Sequence, residues 1–130
     1  KGSTATDFEY VDYGRQLQMC QRYFEKSFEI DTAPANGANT TSFSTSGGLF
    51  ITTASNNSTF RSVHRFTVPK RAGPSMTFYG NSQGYWYSFS AGWQANNRYM
   101  SADTTGFRPT QQTNSSIIDV QGHWTASAEL

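Results

Sequence analysis

The segment IDVQGHWTASAEL, residues 118–130, shows the strictest alternation of side chains in the whole sequence. Its even positions, which include Ile118, Val120 and Trp124, are apolar or small, whereas the odd positions from 119 to 129 are polar. Successive side chains of a β-strand point to opposite faces, so this period of two indicates a strand. We therefore predict a final strand whose even face lies in the core and whose odd face meets solvent.

The amino-acid composition also favours β-structure. The apolar material is supplied by 10 Phe, 7 Tyr and 3 Trp, and 16 Ser and 16 Thr stand against only 3 Leu. Aromatic residues and Thr suit pleated, half-buried surfaces better than they suit helical bundles. A length of 130 residues fits one hydrophobic core, and no linker divides the sequence into two patterned halves. The composition therefore predicts a single all-β domain.

Turn-bounded runs extend the same pattern along the chain. Further strands are predicted at residues 22–30, 49–53, 60–68, 75–79 and 85–93, and a long loop at residues 34–39. In the run 60–68 the even positions, which include His64, are predicted to face inward. In the run 85–93 the odd positions are predicted to form the core, so that Trp86 points the other way.

One short helix is predicted ahead of these strands. Leu17, Cys20 and Phe24 are spaced by three and four residues, which fits a helix over residues 15–22. The single Cys20 is expected to be a small buried hydrophobe. Residues 1–14 are predicted to lead in from an upstream domain. Residues 15–130 are expected to form a jelly-roll-like antiparallel β-sandwich with a short N-terminal helix.

Charge and composition exclude several classes of function. The net charge of +1 provides no basic field for nucleic acid. One cysteine allows neither an internal disulfide nor a cysteine-based zinc site. No apolar run approaches the length of about 18 residues that a membrane-spanning helix needs. We therefore expect no cofactor, no metal, no nucleic-acid partner and no membrane insertion.

Three stretches of the sequence together resemble a known group of proteins. They are KGSTATDFEY with YGRQLQMCQRYFEKS within residues 1–27, FTVPKRAGPSMTFY at 66–79, and HWTASAEL at 123–130. A Leu-x-x-Cys-Gln-Arg-Tyr segment, a Val-Pro-x-Arg-Ala-x-Pro segment and an Ala-Glu-Leu end resemble the C-terminal domains of bacteriophage tail fibres, tailspikes and minor structural proteins. Residues 31–59 and 81–116 match no pattern of that group, and ligand choice would lie there.

The resemblance implies a β-sandwich at the tip of a phage fibre, commonly a homotrimer, located in the virion tail. It implies either receptor binding or assembly, because related folds host both roles. The first hypothesis is a non-catalytic carbohydrate-binding domain that recognises a host cell-surface polysaccharide. The second is a structural trimerisation or capping module without its own ligand. The start KGSTATDFEY resembles a junction with an upstream domain, so we expect a fragment of a longer protein.

The candidate glycan site lies between residues 86 and 103. Aromatic faces stack on sugar rings, while amide and guanidinium groups bond to their hydroxyls. This chemistry selects Trp86, Trp93, Asn96, Asn97, Arg98, Tyr99 and Asp103. In the alternative interpretation, Trp93 and Tyr99 fill the core, the adjacent asparagines form a turn, and Trp86 faces a neighbouring subunit.

Two arginines and two histidines have further possible roles. Arg61 and Arg65 lie on the polar face of their predicted strand. Three interpretations of this position stay open: binding of an acidic sugar, exposure to solvent, or salt bridges between chains. His64 and His123 lie on different predicted strands without a cysteine or carboxylate cluster, which favours structural roles over metal binding.

The carboxylates and the proline-rich turn complete the sequence-based predictions. Asp103 and Asp119 form no paired motif of the kind that glycoside hydrolysis requires, so we predict that the domain is not an enzyme. The turn at residues 69–74 is predicted to be a rigid loop between strands. Within it, Arg71 is predicted to anchor the fold.

Overall fold

The computed structural model describes residues 11–37, 48–52, 63–88, 92–94, 97–111 and 119–129. Within these ranges the chain forms one helix and nine strands. The elements are α1 (Tyr13–Gln21), β1 (Phe24–Lys26), β2 (Leu49–Thr52), β3 (His64–Arg65), β4 (Ser75–Tyr79), β5 (Trp86–Ser88), β6 (Gly92–Gln94), β7 (Asn97–Ala102), β8 (Gly106–Gln111) and β9 (Asp119–Ser127).

The long strand β9 organises the larger of two antiparallel sheets. Strands β1 and β4 pair with its C-terminal half, and β2 and β5 pair with its N-terminal half, while β6 extends the sheet beyond β5. Strands β3, β8 and β7 form a second sheet in that order. This architecture confirms the predicted all-β fold with a short helix near the N-terminus. The jelly-roll connectivity stays a prediction.

The hydrophobic core lies between the two sheets. Trp124 and Ala126 of β9 meet Phe66 and Phe107 from the side of the smaller sheet, and Phe78 of β4 packs against this cluster. The aromatic rings meet at tilted angles, with centroids 5.0 Å apart for Phe107 and Trp124. Tilted and edge-on arrangements are electrostatically favoured by the ring quadrupoles, and they also bury apolar surface area. The even face predicted for β9 is therefore confirmed as a core face.

The prediction that the odd face of β9 meets solvent is wrong. Asp119, Gln121, His123 and Thr125 are all buried. A central strand covered on both faces must satisfy its polar groups internally. Accordingly, the hydroxyl of Ser27 lies 3.0 Å from Nδ1 of His123, whose ring also stacks on a phenylalanine. The alternation revealed the strand, but it did not reveal that a second layer covers its polar side.

Trp86 is also placed opposite to its prediction. It is 0% exposed, and its ring packs edge-on against Phe78 at 5.2 Å between centroids. Gly122 of β9 makes room for the indole, since a Cβ there would collide with it. Ser88 is buried as well, whereas Tyr85 and Tyr87 are partly exposed. The even face of this segment is therefore the core face.

The run 85–93 is not one strand, as predicted, but parts of two. Strands β5 and β6 pair with Trp86 opposite Gln94 and Ser88 opposite Gly92. Gly92 has a φ of 72°, which glycine adopts without the strain that a side chain would cause. The chain therefore reverses direction between β5 and β6, although the sequence of this segment shows the alternation of side chains that is typical of one strand.

Helix α1 is confirmed near its predicted position, but its apolar residues are not buried. The side chain of Asp12 caps the helix by accepting a hydrogen bond from the backbone N–H of Gly14 at 3.0 Å. None of the helical residues is buried, and Cys20 is exposed. The prediction of a buried Cys20 is therefore wrong, because the face that carries it is not covered by a sheet in the described part of the chain.

A buried lysine attaches the end of the helix to the sandwich. The Nζ of Lys70 donates to the carbonyl of Gln21 and to Oε2 of Glu25, both at 2.5 Å, and to the carbonyl of Val68 at 3.2 Å. Its charge also lies 4.6 Å from the ring centre of Phe66. The side chain thus satisfies a free carbonyl at the helix C-terminus and neutralises a carboxylate.

Arg71, which was predicted to be the anchor, has a smaller part in this attachment. Its backbone N–H donates to the carbonyl of Arg22 at 2.9 Å, and its guanidinium lies over the ring of Tyr23. Its side chain is exposed. The turn at residues 69–74 is therefore attached to the helix mainly through a buried cation, which is Lys70 and not the predicted Arg71.

Candidate functional site

The smaller sheet presents a solvent-facing surface built from β3, β8 and β7. Arg65 lies opposite Gly106, and Arg108, two residues farther along β8, lies opposite Ser101. Residues directly opposite each other share a face, as do residues two apart on one strand. Arg65, Arg108 and Ser101 therefore share one face, and all three are exposed.

The opposite face of this sheet explains why the arginines point outward. Phe107 is buried, and His64 and Ala102 are partly buried, so the intervening positions face the core. Gly106 also allows the strands to approach closely, because a Cβ there would collide with the carbonyl of His64. Core packing and a close backbone contact thus fix the register that brings Arg65 near Arg108.

A tight loop connects β7 to β8 and borders the same face. Oδ1 of Asp103 accepts hydrogen bonds from the backbone N–H of Thr105 at 2.6 Å, from its hydroxyl at 2.7 Å and from the N–H of Gly106 at 3.0 Å. An aspartate that bonds to the backbone two residues ahead stabilises a turn. Asp103 therefore shapes the loop through one of its oxygens.

The same contacts favour the ionised form of the Asp103 carboxylate. The hydrogen bond from the Thr105 side chain lowers its pKa most, helped by the backbone N–H groups and by the charge of Arg65. Arg65 is held in turn, because its Nη1 donates to the Thr105 hydroxyl at 3.0 Å. The threonine hydroxyl therefore links a fixed anion to a fixed cation.

These groups surround a small open cleft, which we call the arginine cleft. Its volume is about 90 Å³. The residues that line it are Val63, Arg65, Ser101, Asp103, Thr105, Gly106, Phe107 and Arg108. Within the described ranges, the side chain of Arg108 forms no hydrogen bond or ion pair. The cleft can therefore offer guanidinium donors, hydroxyl groups and one carboxylate to a polar ligand.

The residues predicted for a glycan site are divided between the two sheets. Trp86 is enclosed in the core, and Trp93 belongs to β6 of the larger sheet. Asn97, Arg98 and Tyr99 belong to β7 of the smaller sheet, with Arg98 opposite Thr110 in the strand register. Asp103 follows directly after β7. Asn96 lies outside the described residues, as does Arg61.

Trp86 is consequently not a ligand-binding residue, contrary to the prediction. A side chain with no exposed surface cannot stack on a sugar while the core stays packed. The structure instead brings together the backbone of Asn97, Arg98 and Tyr99 and the side chain of Asp103 along one sheet. Trp86 is therefore lost from the predicted site, Trp93 lies on the other sheet from β7, and a ligand-binding role for the remaining residues stays a prediction.

Sequence reasoning missed the part of the cleft that β8 supplies. No strand was predicted at residues 106–111, and Arg108 was not singled out. The sequence Asp103-Thr104-Thr105-Gly106 carries a turn signal that predicts a hairpin between flanking strands. Recognising that hairpin would have placed Ser101 opposite Arg108, but not beside Arg65.

A second surface, the N-terminal apolar surface, lies between α1 and β1. It forms an open groove of about 340 Å³. Its apolar lining consists of Leu17, Cys20, Phe24, Phe28 and Ile30, with Gln21, Glu25 and Lys26 beside them. Ile30 is 78% exposed, and Leu17 and Phe24 are also exposed. Clustered exposed apolar side chains commonly mark interaction sites.

Both histidines contribute to packing, as the sequence predicts. His64 lies at the edge of the core, with its ring 5.1 Å from that of Phe107 and 5.0 Å from that of Trp124. Burial lowers the pKa of His64, although the charge of Glu25 partly opposes this shift. Among the residues that the structure describes, no three of the types His, Cys, Asp or Glu cluster as metal ligands would.

Comparisons with protein-family models, with curated proteins and with solved structures give no match to this chain. In the described ranges, the helix is too short and too polar to cross a membrane.

Proposed function

We propose that this domain is a non-catalytic carbohydrate-binding module whose site is the arginine cleft. The observation that supports it is that Arg65, Asp103 and Arg108 all line this one cleft, which is open to solvent. Each of these side chains is able to form directional hydrogen bonds with a ligand, and Ser101 and Thr105 add hydroxyl groups. Such groups match the alternating donors and acceptors of a sugar ring.

The geometry favours recognition of a sugar over a purely structural role for the cleft. Arg65 and Asp103 are held in place by Thr105, so their positions are set before a ligand arrives. Pre-positioned groups lower the entropy cost of binding. Arg108 is left with unused donors within the described part of the chain, and Val63, which is 54% exposed, adds a small apolar surface.

The biological setting of this proposal comes from the sequence resemblance. We propose that the domain lies at the C-terminal tip of a phage tail fibre or tailspike, where it binds a host surface polysaccharide. A small cleft suits modest affinity at each site. Three copies in a homotrimer would bind a repeating polysaccharide far more tightly than one copy does.

The proposal assigns no chemical step to the cleft. Glycoside hydrolysis generally uses two carboxyl groups on opposite sides of the scissile bond. In this proposal the carboxylate of Asp103 orients a loop and accepts hydrogen bonds. Its lowered pKa favours the charged form, which suits an acceptor better than a proton donor.

A second candidate function is favoured by the N-terminal apolar surface. The exposed side chains of Leu17, Phe24 and Ile30 would be covered if another copy of this chain packed against α1 and β1. The domain would then be a trimerisation or capping module without its own ligand. Sedimentation of the purified chain distinguishes this candidate, because Leu17→Ser and Ile30→Ser would then convert a trimer to a monomer.

The carbohydrate proposal is tested with the 130-residue chain on an array of bacterial polysaccharides. Binding should be specific to a subset of polysaccharides and should weaken in the variant Arg108→Gln. The matched control is Arg15→Gln, which removes the same charge from an exposed position on α1, outside the cleft. Absence of binding to every polysaccharide, with the chain folded, would exclude the proposal.

A further inference from the structure

The arginine cleft carries more positive charge than its own residues neutralise. Two arginines stand against one aspartate, so the described lining has a formal charge of +1. Among the described residues no ion pair joins Asp103 to Arg108, and Oδ1 of Asp103 accepts three hydrogen bonds within the loop. The uncompensated cation is therefore Arg108, which faces solvent.

The two guanidinium groups are placed to act on one ligand. Arg65 is opposite Gly106, and Arg108 is two residues from that glycine on the same face. Diagonal neighbours of this kind lie about 7–8 Å apart at their Cα atoms, within reach of long side chains. Arg65 uses Nη1 to hold Thr105, which leaves other N–H donors of its planar group for a ligand.

We propose that the cleft binds the carboxylate of an acidic sugar residue within a polysaccharide, with Arg65 and Arg108 as its cationic partners. This inference rests on the proposed carbohydrate-binding function and names its ligand class. Arginine matches a carboxylate geometrically, because two parallel N–H groups can meet its two oxygens. The hydroxyl of Ser101, which also lines the cleft, supplies a further donor and acceptor for the ring substituents.

The size of the cleft agrees with a carboxylate and the edge of one sugar ring. A volume of about 90 Å³ cannot enclose an oligosaccharide. The rest of the polysaccharide would lie outside the cleft, on the solvent-facing surface of the smaller sheet.

The test uses oligosaccharides that differ only in charge. Oligogalacturonate and sialyl-oligosaccharides are compared by calorimetry with the same molecules after reduction of their carboxylates to primary alcohols. We expect the acidic forms to bind at least about tenfold more tightly, which is the effect of one charge-assisted hydrogen-bonding pair. Binding of the acidic forms should also weaken as salt rises, because both arginines are exposed.

Variants assign the effect to the cleft. Arg108→Gln should lower affinity for the acidic forms about tenfold and change affinity for the reduced forms little. Arg65→Lys keeps the charge but loses the planar geometry, so it should also weaken acidic binding. Arg15→Gln should change neither. Thermal unfolding of each variant verifies that the loop and sheet remain folded.

The outcomes separate this inference from the proposed function. Equal binding of acidic and reduced forms, with loss in a cleft variant, would overturn the acidic ligand and retain carbohydrate binding. Equal binding of polyglutamate and oligogalacturonate would overturn the sugar and leave only an anion site. If no oligosaccharide binds, neither the acidic forms nor the reduced ones, both proposals would be overturned.

Discussion

Replacing Lys70 by Met removes a positive charge from the core while keeping nearly the same side-chain volume. Lys70 is 4% exposed and forms three hydrogen bonds, one of them to the carboxylate of Glu25. Breaking a buried ion pair from one side costs about 3–5 kcal/mol. Glu25 keeps two hydrogen bonds from Thr67, which reduces the penalty, so we expect a loss of about 3 kcal/mol.

The assay is urea unfolding of the wild-type chain and of Lys70→Met, with Arg71→Met as the matched control. The exposed Arg71 contributes one cation–π contact and should cost less than about 1 kcal/mol. A loss of 3 kcal/mol lowers the Tm by roughly 10 °C for a domain of this size. The double variant Glu25→Gln, Lys70→Met should lose less than the sum of its single changes.

Two results would refute this account of Lys70. A loss below about 1 kcal/mol for Lys70→Met would mean that the ion pair and the helix contact stabilise little. Equal losses for Lys70→Met and Arg71→Met would mean that the turn at residues 69–74 is held by its backbone alone.

Three further predictions concern the core. Trp86→Phe should cost less than about 1.5 kcal/mol in urea unfolding, against about 3–5 kcal/mol for Trp86→Ala, because the buried Nε1 of this indole has no hydrogen-bond partner in the described part of the chain; equal costs would contradict this. Gly122→Ala should cost about 1–3 kcal/mol through collision with Trp86, and less in the Trp86→Phe background; a cost unchanged in that background would place the collision elsewhere. Because burial lowers the pKa of His64 below its ordinary value of 6.5, the unfolded chain binds more protons as pH falls, so stability is full above pH 6.5 and is lost as pH drops through the lowered pKa. His64→Phe should reduce that loss when unfolding is compared at pH 7.5 and pH 5.5, and an unchanged pH dependence would assign it to other groups.

Local patterns identified the elements whose signals are contained in a few residues. The helix near residues 15–22 and the strands at 49–52 and 75–79 were confirmed because turn residues and side-chain spacing bound them on both sides. The alternation in residues 118–130 likewise identified β9. Each of these signals depends on neighbours in sequence, which is why it can be read without knowledge of the fold.

The wrong predictions concern strands in which the alternation of side chains does not show which face lies in the core. In residues 85–88 both parities carry aromatic rings, so hydrophobicity alone cannot say which one faces the core. Gly122, more than thirty residues away, decides the matter by leaving space for the indole of Trp86. The polar face of β9 was misjudged for a related reason. Ser27 and Phe28 cover His123 from another part of the chain.

The candidate site shows the same division between local and distant information. Asp103 and its turn follow from adjacent residues, because an aspartate bonds to the backbone just ahead of it. The meeting of Arg65 with Thr105 and Arg108 required the pairing of β3 with β8, about forty residues apart. The pairing of strands so far apart is chosen by packing of the whole core.

The alternating segment at residues 118–130 therefore established a β-protein from sequence alone, since a period of two is a property of the extended backbone. The tertiary structure decided that this strand is buried on both faces, that Trp86 belongs to the core and that two arginines share one cleft. Burial depends on which layers cover a strand, and those layers come from residues that local patterns do not connect.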